Sequence, residues 1–197
     1  MAAPGLRGLR KHSRSFPSLG AKQKDGSSIP MKEWESLLAK MPGQTCRSMI
    51  GMGGGSMFSL DFGNKLEREE VVDNDKLGER RRKFVSEYTL FVRMTGWRLY
   101  QDKKCICDCN DSNANDGPMV MGLRRLEGKK LLHFDAGKSP AELRLAFSED
   151  YRLALSAWEG VDPEHEAYTL LGDGQAVTVL MNGKISFQIS RRSQKGK

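Results

Sequence analysis

Apolar and polar residues alternate along most of the carboxyl-terminal third of the chain, which is the pattern of β-strands with one buried face. In the run ELRLAF, Leu143, Leu145 and Phe147 stand on one side and Arg144 stands on the other. The run YRLALSAW continues the alternation after a Ser-Glu-Asp turn. This segment is therefore predicted to form a β-hairpin with an apolar inner face and a solvated outer face.

The same alternation predicts further strands on both sides of this hairpin. The runs AVTVL and KISFQIS meet at Asn182 and Gly183, and Asn-Gly between alternating runs is the strongest short-range signal of a hairpin. Upstream, MFSLDFG predicts one strand, and EYTLFVRMTGWRLYQ predicts two strands around Thr95 and Gly96. A charged stretch at about 64–86 lies across this region and is expected to be a mobile loop or a solvated helix.

Two segments have helical spacing instead. Trp34, Leu37, Leu38 and Met41 recur at intervals of three and four residues in IPMKEWESLLAKMPG, which begins with a proline and ends in Pro-Gly. The segment GPMVMGLRRLEGK shows a similar spacing. The predicted fold class is therefore α+β, mainly an antiparallel β-meander or hairpin sheet with one or two short helices.

The glycine-rich run GMGGGS connects the first helix to the strands. It lacks the Lys-Ser/Thr ending of a phosphate-binding loop, and it leads into a strand rather than a helix, so we interpret it as a linker. The expected organisation is a disordered basic tail at 1–29, a short helix and Gly-rich linker at 30–55, a single β-rich domain at 56–190 with a charged insertion at about 64–86, and a basic tail at 191–197.

The net charge of +7 is concentrated at the two ends of the chain. Residues 1–29 account for +5 and residues 190–197 for +4, which leaves −2 on residues 30–189. Basic tails can contact nucleic acid without sequence specificity, but the domain itself offers no basic composition for specific recognition.

No apolar run approaches the length of a membrane-spanning helix, so we expect a soluble protein without a membrane span. The amino-terminal 24 residues contain no acidic side chain and several Arg and Ser, as in organellar transit peptides. Gly and Pro interrupt any helix there, which favours a plain extension of a cytoplasmic protein over an organellar one.

Three cysteines alternate in KKCICDCN, and on a regular strand Cys105, Cys107 and Cys109 would share one face. Zinc sites usually take ligands from Cys-x-x-Cys pairs, which this spacing does not match. His133 or His165 could complete a metal site or a small enzyme centre, although neither lies in a ligand motif. The simpler interpretation is that the thiols are buried and inert.

The following loop, DSNANDG, resembles the start of a calcium loop without completing it. Asp111, Asn113 and Asn115 occupy the first three ligand positions, but Asp116 stands where the glycine belongs and Gly122 where the closing Glu belongs. An ordinary polar loop is therefore expected. The chain also lacks a Gly-x-Ser-x-Gly or His-Glu-x-x-His motif, and we expect neither a cofactor nor a catalytic residue.

The runs SLDFG at 59–63, EYTLFV and WRL, followed by a helix and a chain of hairpins, resemble small bacterial β-rich proteins of unknown function. Some of those proteins are assigned as immunity proteins of polymorphic toxin systems. The resemblance covers residues 56–190 and implies a compact binding protein that covers a partner's site. The insertion and the cysteine run depart from that pattern, and no functional residue is carried over.

The sequence therefore leaves two candidate functions. The first is a non-enzymatic protein-binding module, an immunity or inhibitor protein by the resemblance. The alternative is a small metal-binding protein or enzyme that uses the three alternating cysteines.

Trp97 and Trp158 each end an apolar strand, so each is either a core residue or a half-exposed interface residue. Basic residues of the insertion would then form a rim that steers an acidic partner. The residues expected to contact a protein partner are Trp97, Arg98, Arg80, Arg81, Arg82 and Lys83.

Overall fold

The computed structural model describes residues 29–51, 56–68, 71–73, 79–158 and 160–189. Three helices and eleven strands occur in this part of the chain. The helices are α1 (Ile29–Lys40), α2 (Glu79–Lys83) and α3 (Pro118–Arg124). The strands are β1 (Cys46–Gly51), β2 (Phe58–Glu67), β3 (Phe84–Val92), β4 (Gly96–Gln101), β5 (Lys104–Asp108), β6 (Leu131–Ala136), β7 (Leu143–Phe147), β8 (Tyr151–Ser156), β9 (Glu166–Gly172), β10 (Gln175–Leu180) and β11 (Ile185–Ile189).

The strands form two antiparallel sheets. The first has six strands in the order β1-β2-β3-β9-β10-β11, and the second has five in the order β5-β4-β8-β7-β6. Short hairpins join β7 to β8 and β10 to β11, as the alternating pattern and the turn residues predicted, and a third joins β9 to β10. The predicted α+β, mainly antiparallel β fold is confirmed.

The two sheets pack face to face around one hydrophobic core. The edge of the Phe58 ring on β2 meets the Trp97 ring on β4 at a centroid distance of 5.0 Å. Phe62 on β2 stacks on Phe147 of β7 at 6.2 Å. These aromatic contacts join the sheets, because each of the four rings is almost fully buried and comes from an inward position of its strand.

Helix α1 covers the inner face of the six-stranded sheet near β9, β10 and β11. Leu37 approaches Gly172 of β9, where a β-carbon would collide with the Tyr88 ring. The Trp34 indole donates a hydrogen bond of 2.9 Å to the Tyr168 hydroxyl. The first helix therefore belongs to the same core as the strands.

Helix α3 packs against β5 of one sheet and β1 of the other. Its Met119 and Leu123 are buried, as the helical spacing predicted. Gly122 lies so close to Cys107 of β5 that a β-carbon there would overlap the thiol. The helix therefore holds an edge strand of each sheet, which makes α3 part of the sandwich.

Three features differ from the sequence analysis or extend it. The segment 30–55, expected to be a short helix and a Gly-rich linker, also contains a strand, β1, which pairs with β2. The two strands around Thr95 and Gly96 are present but belong to different sheets. The expected insertion at 64–86 begins and ends inside the β2–β3 ladder, where Lys65 pairs with Ser86.

The expected tails lie outside the described residues, apart from Ile29 at the start of α1, and so does the glycine run at 52–55. In the parts of the chain that the structure does describe, no helix is both long and apolar enough to cross a membrane.

Candidate partner-binding surface

Charged side chains form a regular row across the outer face of the five-stranded sheet. The strand register places Asp108, Arg98 and Ala154 opposite one another on β5, β4 and β8. It continues from Ala154 to Arg144 on β7 and from Arg144 to Asp135 on β6. We call these five residues the arginine row. Its charges run acid, base, neutral, base, acid, with a small side chain at the centre.

A concave cavity of about 360 Å³ lies over this row, and we call it the outer groove. Arg98 and Arg144 are both exposed, and Ala154 between them is half-buried. The indole of Trp158, 41% exposed, lies just beyond the end of β8. The groove is lined by Gly96, Trp97, Arg98, Tyr100, Cys109, Asn110, Glu142, Arg144, Ala154, Leu155, Ser156, Ala157 and Trp158.

Each arginine of the row has a neighbour on its outer side. Hydrogen bonding to Tyr100 raises the pKa of the Arg98 guanidinium, and the carboxylate of Asp108 adds a smaller effect in the same direction. The Nη1 atom of Arg144 lies 3.2 Å from the Oδ2 atom of Asp135. These partners orient the guanidinium groups but add little stability, because exposed ion pairs are well solvated.

A second row of outward residues runs beside the first. Tyr100 on β4 pairs with Cys105 on β5 and with Arg152 on β8. The Arg152 guanidinium donates a hydrogen bond to the backbone carbonyl of Asp102. Ala146 on β7 continues this row and pairs with His133. The outer face therefore combines three arginines with a tyrosine and a histidine.

The structure corrects the expectation that Trp97 contacts a partner. Its side chain is only 1% exposed, and its indole nitrogen donates a hydrogen bond of 2.9 Å to the Ser56 carbonyl. On β4, Trp97 faces inward while Arg98 faces outward, because consecutive strand residues point to opposite faces. Trp158 is the half-exposed tryptophan near Arg98.

Among the basic residues of the insertion, Arg82 and Lys83 do not line the groove. Helix α2, which contains Arg80, leads directly into β3 of the six-stranded sheet. Lys83 forms an ion pair of 2.6 Å with Glu79, and Arg82 donates to the Val72 carbonyl at 3.1 Å. The side chains of Arg80 and Arg81 lie outside the described parts of the structure.

The alternating cysteines do not share one face. A bulge at Ile106 sets Cys105 opposite Tyr100 on the outer face and Cys107 opposite Leu99, which is buried. Cys105 is exposed, Cys107 is buried and Cys109 is half-buried. The bulge changes the alternation by one residue, and the sequence contains no signal for it.

The placement of these thiols does not assemble a metal site. Burial raises the pKa of Cys107 to about 12, and its thiol faces α3. His165 lies in the turn before β9, with its Nδ1 atom 3.8 Å from an Asp162 oxygen, and His133 lies on β6. Within the described ranges, no three His, Cys, Asp or Glu side chains are grouped so that they could hold a metal ion.

The polar loop after β5 uses its oxygens internally. The Asp111 carboxylate accepts a hydrogen bond of 2.8 Å from the backbone nitrogen of Asp108, and the Asp108 carboxylate accepts one of 2.8 Å from that of Asn110. The second of these bonds is typical of an Asx turn. Both bonds agree with the expected loop and hold Asp108 at the end of the arginine row.

A second cavity, of about 210 Å³, lies between β1, α3 and this loop. Met49, Met119 and Val120 give it an apolar wall, and Arg124 stands at its rim. It has no counterpart to the paired arginines of the outer groove.

The sequence predicted Arg98 as a contact residue and offered Trp158 as a core or half-exposed interface residue, but it gave no signal that Tyr100 and Arg144 belong to the same surface. The alternation of β7 already placed Arg144 outward. What the alternation could not supply is the strand order, which places β8 between β4 and β7 although Arg144 follows Arg98 by 46 residues in the chain.

The comparisons with known proteins identify no relative. No protein-family model matches the chain. Neither the curated proteins nor the solved structures contain a significant match to it.

Proposed function

We propose that this protein is a non-enzymatic protein-binding module that engages its partner through the outer groove. One observation carries the proposal: the half-exposed Trp158 stands beside Arg98, Arg144 and Tyr100 on a concave sheet face. Trp, Tyr and Arg are the residue types that supply most of the binding energy at protein interfaces.

The structure of the groove supports this role. Its floor consists of the strands β4 and β8, which hydrogen bonds and the core beneath keep rigid. A rigid floor lowers the entropic cost of binding, because the contact residues are already positioned before the partner arrives. An inhibitor or immunity protein that covers a partner's site would use such a surface.

The alternative function, a metal-binding protein or enzyme that uses the three cysteines, receives no comparable support. Cys107 is enclosed by α3, whereas Cys105 faces the opposite side of the sheet. We therefore carry forward the binding role alone.

Site-specific crosslinking in the native host tests the proposal. A photoreactive phenylalanine replaces the exposed Ser156, which lines the groove, and a matched control replaces the exposed Gln188 on the other sheet. We expect one protein to be captured from position 156 and not from position 188.

The captured protein is then identified by mass spectrometry and purified for binding measurements. Trp158→Ala and Arg98→Ala should each weaken the complex by about tenfold or more while leaving the fold intact. Equal capture from both positions, or a purified partner that binds these variants like wild type, would contradict the proposal.

A further inference from the structure

We infer that the outer groove binds a single carboxylate side chain of a partner protein, flanked by apolar residues, between Arg98 and Arg144. This inference rests on the proposed function for the class of partner. The binding position itself follows from the arginine row.

The spacing of the strands fits one carboxylate between the two arginines. Arg98 and Arg144 lie on the strands on either side of β8, and both pair with Ala154. Neighbouring antiparallel strands are separated by about 5 Å, so the two arginine α-carbons are about 10 Å apart. The methyl group of Ala154 leaves the space above it open, and each guanidinium can turn toward that space.

The charge pattern of the row favours an anion at its centre. The position of Ala154 is one strand spacing, about 5 Å, from the positions of Arg98 and Arg144, and two spacings, about 10 Å, from those of Asp108 and Asp135 on the outer strands. Attraction to the near charges therefore exceeds repulsion from the distant ones. Asp135 engages the Nη1 atom of Arg144, and a guanidinium has further N–H donors available in its planar fork.

The same pattern disfavours a polyanion. Asp108 and Asp135 stand at the two ends of the row and Glu142 lines the groove, so a ligand with further negative charges would bring one of them toward an acidic side chain. Nucleic acid carries a charge on every phosphate and binds where basic side chains follow one another. The groove has an alternation of charges instead and therefore suits one isolated carboxylate.

The aromatic side chains of the groove indicate which partner residues would flank that carboxylate. Trp158 and Tyr100 both line the groove, and each has an apolar ring with one polar atom. A partner residue adjacent to the acid would contact these rings. We therefore expect a Glu or Asp that is flanked by apolar residues.

Three capped peptides that differ in one residue test the inference on the full-length protein. They are acetyl-Leu-Glu-Leu-amide, its Gln counterpart and its phosphoserine counterpart. Binding is followed by NMR through the arginine Nε–H and tryptophan indole signals, with Trp158→Phe used to assign the indole of Trp158. We expect the Glu peptide to shift the Arg98, Arg144 and Trp158 signals and to bind about tenfold more tightly than the Gln peptide, with an effect that weakens as salt is added.

Variants then locate the binding position. Arg98→Gln and Arg144→Gln should each remove most of the preference for Glu over Gln. Ala154→Leu should fill the central space and abolish binding. Ala146→Leu is the matched control, because Ala146 is also half-buried on the outer face but does not line the groove, and it should bind like wild type.

The outcomes separate this inference from the proposed function. Equal binding of the Glu and Gln peptides, tighter binding of the phosphoserine peptide, or an unchanged Ala154→Leu variant would overturn the inference. Crosslinking at position 156 would still support a protein-binding role in that case. Conversely, a Glu preference that the arginine variants remove, without capture of a partner from that position, would leave the carboxylate site standing and contradict the proposed function.

Discussion

The two outer faces of the sandwich both carry polar groups, but these groups have different partners. On the six-stranded sheet, the Asp61 carboxylate accepts hydrogen bonds of 2.8 and 2.7 Å from the hydroxyl groups of Ser48 and Thr89. The hydroxyl groups of Thr169 and Thr178 are 3.0 Å apart on adjacent strands. These short side chains bind one another across the strands.

The five-stranded sheet instead carries long side chains whose charged groups reach into solvent. Arg144 and Asp135 are both largely exposed although they form an ion pair. Short hydroxyl and carboxylate groups at adjacent strand positions satisfy one another at little cost in side-chain entropy, whereas a long arginine loses more freedom when it is ordered. The first face therefore contributes more to the stability of the fold, and the second leaves guanidinium donors exposed to solvent.

The largest expected effect is the difference in stability loss between a substitution in the core and one on the outer face of the five-stranded sheet. Trp97→Ala should lower the free energy of unfolding by about 3–5 kcal/mol, because it leaves a cavity against Phe58. Trp158→Ala should lower it by less than about 1 kcal/mol, because its side chain is already half in solvent. Denaturant unfolding of the two variants measures the difference, and similar losses would show that Trp158 is structural.

The second expected effect concerns thiols on opposite faces of β5. Cys107 should react with a neutral alkylating reagent about a hundredfold more slowly than Cys105, because it is buried and its pKa of about 12 leaves almost no thiolate at neutral pH. The pKa of Cys105 is raised as well, so its rate should keep increasing with pH above the usual thiol range. Mass spectrometry after timed alkylation gives both rates, and comparable rates would place Cys107 at the surface.

The third effect is the loss of the shared acceptor on the six-stranded face. Asp61→Ala should lower the free energy of unfolding by about 2 kcal/mol, since two hydroxyl groups lose a charged partner. Asp135→Ala is the matched acidic substitution on the other outer face and should cost less than about 0.5 kcal/mol. If urea unfolding gives the same loss of free energy for both variants, the polar groups of the two faces do not differ in what they contribute to stability.

A smaller effect is expected for the threonine pair. In a double-mutant cycle, Thr169→Val and Thr178→Val should show a coupling energy of about 0.5–1 kcal/mol, because they form a cross-strand hydrogen bond. Thermal unfolding of the four proteins measures this coupling. If the effects of the two substitutions are additive, the coupling energy is zero. The hydroxyl groups would then bind water as favourably as they bind each other.

The smallest expected effect is on the arginines of the groove. Arg98→Gln combined with Arg144→Gln should change the melting temperature by less than about 2 °C, since both side chains are exposed. Differential scanning calorimetry checks this value. A decrease of many degrees would show that the arginine row holds the sheet together, in which case the row is structural.

The local pattern of apolar, polar and turn residues predicted those strands and hairpins that are encoded by residues adjacent in the sequence. The hairpins at Asn182-Gly183 and between β7 and β8 were predicted because turn residues and alternation occur together. Strand β1 was missed because CRSMIG is short and follows a predicted helix and a Pro-Gly stop. Its assignment depends on pairing with β2, which is a tertiary interaction.

The sequence by itself determined which side chains face inward on most strands, because alternation follows directly from strand geometry. It thereby placed Arg144 outward and Leu143 and Leu145 in the core. It also determined that the basic charge belongs to the ends of the chain and not to the domain.

Only the tertiary structure decided how many sheets form and which strands become neighbours. Strand order placed Arg98 and Arg144 on either side of Ala154, and a bulge at Ile106 separated Cys105 from Cys107. Both outcomes depend on contacts between residues that are distant in the chain, where burial of apolar surface selects one register over others. Alternation is a property of one strand, whereas a binding surface is a property of several.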